Sequence, residues 1–331
     1  MDHEIFKLPR FTSQAGTTLD LTLAYKTHGR LSPGGDNAIV VLTSYAAQHD
    51  DAEGLFAGLD LSDYYIVLIN MLSNGLSSSP SNTPPPFDGP RFPGMTIHDN
   101  VACQHRLLEA LGVERLRLVM GFSMGALQTF EWGCQHADMV NALLPICGAA
   151  RVSPHNYLFL DGVKAALLAD KSFAGGDYSE PPLEGMRAFG RVYAGWVFSQ
   201  TFFRNEAYKE MGLGLDSIED VVAFMQGYFM RRDANDLLGM LWTWQHADIS
   251  ANDRFKGDFR AALASISARA IVMPCNTDLY FTVADSVNEV SAMPNAELRP
   301  IDSILGHVAG SGMDPIGKAA IDQAILELLA Q

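Results

Sequence analysis

Ser123 lies in the pentapeptide Gly121-Phe122-Ser123-Met124-Gly125. A hydroxyl with glycine two positions to either side is the pattern of a nucleophile at the tip of a tight turn. Side chains at the glycine positions would collide with the neighbouring strand and helix. A serine hydroxyl is a weak nucleophile and needs a base, and the base needs an acid to orient it. In a strand–turn–helix setting the chain order is Ser, then Asp or Glu, then His. Asp278 and His307 fit that order. The chemistry predicted from these residue types is serine-dependent acyl transfer. An oxyanion formed during it needs two backbone donors: the N–H of Met124, directly after the nucleophile, and one from the loop after an earlier strand, for which Tyr45 is the candidate.

Three residues from distant parts of the chain meet only if regular elements bring them together. Residues 116–120 are a short apolar run, read as a buried strand, and Ala126, Leu127, Phe130 and Cys134 after the serine fall at helical spacing. Residues 37–43, 64–70 and 140–147 are further continuous apolar runs, as strands buried on both faces must be, while 19–26 alternates and reads as an outer strand. Thr96 and Asp99 form a capping-box pattern opening a helix that Gly112 can end. Residues 71–93 are rich in Ser, Asn, Gly and Pro and cannot be regular structure, so they form either a working loop or a plain surface one. Asp278 follows a strand at 269–274 and His307 a last strand at 296–301, at the same end of the sheet as Ser123. Residues 315–329 read as a closing helix. Strands alternating with helices predict a mostly parallel, doubly wound α/β sheet.

From 151 to 265 the pattern changes. Helices are expected over 156–169, 183–210, 217–231 and 233–246, with no clear strand and many aromatic residues. The expected organisation is a sheet domain of 1–150 and 266–331 with a helical cap, 151–265, inserted before the last strands. Most cap aromatics should form its core, and a minority should line a substrate pocket. Arg187 and Arg191, four apart on an aromatic-lined helix, share a face and are candidates to clamp a substrate carboxylate. The blander expectation for them is a solvated helix face.

Other titratable residues weigh less. His49-Asp50-Asp51 resembles part of a metal site, but no second cluster stands at ligand spacing, and no metal is expected. His98, His105 and His136 fall on helices. His155 and His246 lie in the cap, and Asp285 is a reserve acid that sits deeper in a helical stretch.

Composition narrows the classes. The chain has 331 residues, 48% of them hydrophobic, enough for a large core. A net charge of −15 disfavours nucleic acid and anionic membrane as partners. The four cysteines, Cys103, Cys134, Cys147 and Cys275, lie in or beside apolar runs without C-x-x-C spacing and read as buried free thiols. No leader-like apolar segment opens the chain and no run approaches a membrane span, so a soluble cytoplasmic protein is expected.

The order Leu42-Thr43-Ser44-Tyr45, Asn70-Met71-Leu72-Ser73-Asn74-Gly75, Gly121-Phe122-Ser123-Met124-Gly125, Thr277-Asp278-Leu279-Tyr280-Phe281 and Gly306-His307 resembles the homoserine O-acetyltransferase-like branch of the α/β-hydrolase superfamily. The resemblance implies the α/β-hydrolase fold, an acyl-Ser123 intermediate with His307 as base and Asp278 orienting it, and a homodimer held through the caps. In the homoserine enzymes an Asp that meets the substrate amine typically follows the catalytic His, whereas this chain has Val308. The Gly-Gly-Cys and Gly-Thr-Thr-Gly character usual after the second strand is also missing. Hydrolysis of an ester or amide of a small molecule is therefore expected, with no cofactor. The alternative is O-acyl transfer on the same triad, with acetyl-CoA or another acyl-CoA as co-substrate. A non-catalytic binding protein on this fold is the remaining, weaker expectation.

Overall fold

A computed structural model describes residues 2–330. Strands β1 (Glu4–Thr12), β2 (Thr18–His28), β3 (Ala38–Leu42), β4 (Tyr65–Ile69), β5 (Leu116–Phe122), β6 (Ala142–Ile146), β7 (Arg269–Val272) and β8 (Ala296–Leu298) form one eight-stranded sheet in the order β1-β2-β4-β3-β5-β6-β7-β8. β1 and β2 pair antiparallel, as do β2 and β4, and every later pairing is parallel.

The parallel centre follows from the apolar runs. Every residue of β3 and of β6 is buried. Period-two alternation then divides each strand between two faces. Val40 and Leu42 of β3 point to one cluster with Val67, Val119 and Leu143, while Ile39 and Val41 point to another with Leu68, Met120 and Leu144. The first face is covered by α2 (Ile97–Ala110) and α3 (Met124–Gln135), the second by the short α1 (His49–Ala52) and the C-terminal helix α11 (Pro315–Leu329). The expected doubly wound α/β architecture is therefore present. The capping box is present as well: the Thr96 hydroxyl accepts from the Asp99 N–H at 3.1 Å, and the Asp99 carboxylate accepts from the Thr96 N–H at 2.9 Å.

Between β6 and β7 stand α4 (Pro154–Leu168), α5 (Leu183–Val197), α6 (Gln200–Arg204), α7 (Ile218–Phe229) and α8 (Ala234–Gln245). Their core also includes Tyr45 from the turn after β3, Met124 at the start of α3 and Tyr280 from the loop after β7, all at the carboxyl ends of the strands. These helices thus rest directly on the strand ends that carry the candidate site. The two necks of the segment pair with each other, Val152 N–H to Ala247 O and Ile249 N–H to Ala150 O. The following α9 (Phe259–Ala264) packs Ala262 and Leu263 into the sheet's own core. Among the described residues no helix is long and apolar enough to cross a membrane.

The structure adds to the expectations in two places and changes them in one. β1 was not foreseen. Its side chains are mostly exposed, so it carries little hydrophobic signal, and it is held by pairing to β2. The helix expected over 183–210 is broken, because Phe198 is extended and Ser199 caps a new helix by accepting from the Phe202 N–H at 2.9 Å. Residues 71–93 are irregular as expected, but much of the segment is buried and tied down. The Ser77 hydroxyl donates to Asn70 O at 2.7 Å, and the Ser81 N–H and hydroxyl donate to buried Asp236 at 2.9 and 2.6 Å. The packed Asp236 carboxyl is pushed up to about 7 by burial.

Candidate active site

β5 delivers Ser123 into the turn before α3 with φ 58° and ψ −120°. Such a backbone costs on the order of 1–3 kcal/mol and persists only where its surroundings hold it. Here the Ser123 N–H donates to Ile146 O on β6 at 2.9 Å, and its carbonyl accepts from Ala126 and Leu127 at 2.8 and 3.2 Å. The two glycines are needed for packing. A Cβ on Gly121 would stand 2.4 Å from the Gly125 carbonyl carbon, and one on Gly125 would stand 2.4 Å from Leu42 O.

The acid and base meet as the strand order requires. His307 Nδ1 lies 2.7 Å from Asp278 Oδ2, with both side chains buried. The carboxylate accepts, so Nδ1 carries the proton and Nε2 is the free basic nitrogen. The other Asp278 oxygen accepts from the Tyr280 and Phe281 N–H groups at 3.0 and 3.2 Å. Thr277 ties the acid loop to the base loop: its hydroxyl donates to Ser303 O at 2.7 Å and accepts from the Gly306 N–H at 3.1 Å. The imidazole is packed between Phe122 and Tyr280, with ring centroids 4.6 and 4.4 Å away. The reserve acid, Asp285, instead caps α10 (Val283–Val290) through Thr282.

Ser123 and His307 share one cavity of about 200 Å³ with Ser44 and Tyr45, in the turn that leaves β3. Among the described residues neither the Tyr45 N–H nor the Met124 N–H donates a hydrogen bond within the protein. Both donors are therefore free for a developing oxyanion. The Tyr45 side chain is buried, and its hydroxyl donates to Leu237 O at 2.9 Å.

The cavity wall is largely apolar and includes Val308, Val197, Phe198 and Met225. Among the described residues no Arg or Lys lines it. The clamp expected of Arg187 and Arg191 is not built. Arg187 pairs with Glu184 on the outer side of α5, and Arg191 is exposed. α5 turns Tyr193 and Val197 to the cavity instead. Of the cap histidines, His155 packs on Trp196 and His246 on Trp242, and neither lines the cavity. Sequence reading missed Asp51, the carboxylate on the wall, which accepts from the Gln48 N–H at 2.9 Å and lies 3.5 Å from Arg232.

A cluster not foreseen from the spacing of residues lies outside the cavity. Donor atoms of Asp2, His3 and His49 fall within 4.8 Å of one another. Asn70 decides its chemistry. Its amide nitrogen donates to Ala24 O at 3.0 Å and faces His49 Nδ1 at 3.1 Å, while its oxygen accepts from the His49 and Asn74 N–H groups at 3.0 and 2.9 Å. With the amide so oriented, His49 Nδ1 is an acceptor and Nε2 carries the proton, which points toward Asp2 rather than offering a lone pair. Lys26 supplies the cation there, and its hydrogen bond holds the Asp2 carboxyl down at about 2. The four cysteines are buried free thiols, and burial pushes Cys147 well above the usual thiol range.

Residues 37–262 match the family model for the alpha/beta hydrolase fold. The chain is 39% identical over 316 residues to an ethyl acetate hydrolase of Pseudomonas veronii, covering 93% of this chain and 89% of that protein. It is 31% identical over 317 residues to a homoserine O-acetyltransferase of Chlorobium chlorochromatii, covering 90% and 88%. The crystal structure of the acetyl esterase MekB superposes with a TM-score of 0.96 at 37% identity, covering 99% of this chain and 97% of that one.

Proposed function

This chain belongs to the homoserine O-acetyltransferase-like branch of the α/β-hydrolase superfamily, and from that premise we propose that it hydrolyses esters of short acyl groups with small, uncharged alcohols. The observation that carries this is the buried Asp278–His307 pair, which opens with Ser123 onto a small apolar cavity. Ser123 Oγ attacks the acyl carbon as His307 Nε2 takes its proton, with Asp278 holding the imidazole in the tautomer required. The oxyanion lies between the Tyr45 and Met124 N–H groups. His307 then gives the proton to the departing alcohol. Water, deprotonated by the same nitrogen, releases the acid and restores Ser123.

The wall chemistry supports hydrolysis over transfer to homoserine. At about 200 Å³ the cavity is below the roughly 300–1,000 Å³ usual for drug-sized ligands. A zwitterionic acceptor needs partners for a carboxylate and an ammonium. Among the described residues no Arg or Lys lines the wall, Val308 presents an isopropyl group, and Asp51 already has partners. Burying an unpaired charge costs several kcal/mol. The ethyl acetate hydrolase and the acetyl esterase among the relatives point the same way. Ethyl acetate is expected to be turned over, and acetyl-CoA with homoserine at least a hundredfold less efficiently, the equivalent of about 3 kcal/mol. Comparable kcat/KM for the two would establish the acetyltransferase alternative, which the 31% identical relative favours.

The homodimer is also a proposal. Tyr157, Leu158, Val192 and Ile218 expose apolar surface on α4, α5 and α7, and Leu158→Asp should lower the mass seen by light scattering if these helices form the contact.

A further inference from the structure

The turn after β3 is the less secure half of the oxyanion site. Ala46, next to Tyr45, has φ 57°, in the left-handed region that favours glycine. An alanine there relaxes to an ordinary conformation unless its surroundings forbid it. Relaxation would swing the two peptide planes that flank it, Tyr45–Ala46 and Ala46–Ala47. The Ala47 N–H of the second donates to Ser44 O at 3.2 Å, and Ser44 O shares a peptide plane with the Tyr45 N–H, so that N–H would be re-aimed.

The three carbonyls of the turn are all engaged. Ser44 O accepts from the Ala47 N–H at 3.2 Å, closing the turn. Tyr45 O accepts from the Tyr228 hydroxyl at 3.4 Å, and Ala46 O accepts from Arg232 Nε at 2.8 Å. The last two donors come from the end of α7 and the link to α8. The other end of the Arg232 guanidinium lies 3.5 Å from Asp51 in α1, the helix the turn leads into. Arg232 is mostly buried, with 10% of its side chain exposed, and does not line the cavity. A buried guanidinium without a substrate to meet is placed to bind protein.

We propose that Arg232 is a positioning residue for the oxyanion site: bridging Ala46 O and Asp51, it holds the strained turn so that the Tyr45 N–H faces the reacting carbonyl. Tyr228 assists it weakly through Tyr45 O. This rests on the acyl-transfer reading of Ser123, and it makes the inserted helices part of the catalytic geometry as well as the wall of a pocket.

The test compares Arg232→Met, Tyr228→Phe and Ser123→Ala with the unaltered enzyme on ethyl acetate. Rates of the unaltered enzyme, Arg232→Met and Tyr228→Phe are normalised to sites titrated with a fluorophosphonate, and the rate of Ser123→Ala to folded protein concentration. Binding of a trifluoromethyl ketone is measured in parallel: Ser123 Oγ adds to its carbonyl carbon, the hydroxyl proton passes to His307, and the carbonyl oxygen becomes a stable oxyanion. Losing one oxyanion donor outright costs about 10²–10³-fold in kcat. Misaiming it in Arg232→Met should therefore cost about 10- to 100-fold in kcat, with KM changed less than about threefold. Ketone affinity should fall by the same factor, because the ketone adduct and the transition state share the oxyanion. Tyr228→Phe should show the same pattern at a few-fold. A kcat within twofold of the original in Arg232→Met overturns the proposal, and so does a fall in kcat with ketone affinity unchanged. If Arg232→Met does not fold, Tyr228→Phe decides by the same ratio. Activity retained in Ser123→Ala would remove the underlying reaction instead, whatever Arg232 does.

Discussion

The two sides of Ser123 are built by different parts of the chain. The acid–base side is made at the ends of adjacent parallel strands: Asp278 and His307 follow β7 and β8, are cross-tied by Thr277, and are buried against rings from neighbouring loops. The oxyanion side is a strained turn, two of whose carbonyls are held by the side chains of Tyr228 and Arg232, far along the chain. Sheet topology brings the first pair together, with the Ser199 hydroxyl of the insertion adding a tie to Ile304 O ahead of His307, whereas the second is held chiefly by the insertion. An enzyme of this design can vary its pocket by changing the helices without moving the proton-transfer pair, but only within limits set by the contacts that hold Tyr45.

The sharpest way to break this division is to remove the acid–base side. Ser123→Ala and His307→Ala should each lower kcat/KM for ethyl acetate by roughly 10⁴-fold or more, and Asp278→Asn by less, because triad members act as a unit. Their combinations should not add. Steady-state rates with folding checked by circular dichroism decide it, and Ser123→Ala at full activity would leave the site without a function.

A smaller effect concerns the joint between the two regions. Glu289 on α10 accepts from the Ala150 N–H at 2.7 Å, where the chain leaves the sheet for the inserted helices. Its second oxygen is buried without a partner among the described residues. Burial pushes this carboxyl from 4.5 up to about 8. The folded state therefore holds a proton that the unfolded state has lost between those values, and stability falls as pH rises through that window. Glu289→Gln keeps the acceptor for Ala150 and cannot ionise. It should match the parent near pH 5 and exceed it by roughly 2–4 kcal/mol at pH 9, from about 1.4 kcal/mol per pKa unit with allowance for relaxation. Urea unfolding at both pH values tests this, and a difference independent of pH would show that Glu289 is ionised in the fold.

How far each region could be read from sequence follows the same division. β3, β4, β5 and β6 are short apolar runs, and parallel strands buried on both faces leave that mark whatever surrounds them. Ser123, Asp278 and His307 could be placed because each follows such a run. β1 was missed because a mostly exposed strand has little apolar pattern to detect. Arg232 was missed for a different reason. Its Ala46 partner is 186 residues away, and nothing local to residues 230–234 records which backbone carbonyl the side chain will meet. The break at Ser199 had a visible cap residue, but a continuous helical pattern on either side outweighed it.

The smallest expected effect tests whether the cap wall is as apolar as its lining suggests. α5 buries Met186, Phe189, Tyr193 and Val197, a stripe at three- and four-residue spacing. Arg191 is two residues from Tyr193, hence about 200° around the helix at 100° per residue. The same geometry that joins Arg187 and Arg191 on one face takes both away from the cavity. Arg187 pairs with Glu184 at the surface, with 43% of its side chain exposed, and exposed pairs contribute only about 0–1 kcal/mol. Arg187→Leu and Arg191→Leu should each leave kcat and KM for ethyl acetate within about twofold, since a change below about 0.5 kcal/mol is near the limit of a rate assay. Carboxylate-bearing esters should stay poor substrates in parent and variants alike, because no cation leaves the wall. A KM that rises severalfold only for such esters would mean that one of these arginines reaches the substrate after all, and that the helices supply charge as well as shape to the pocket.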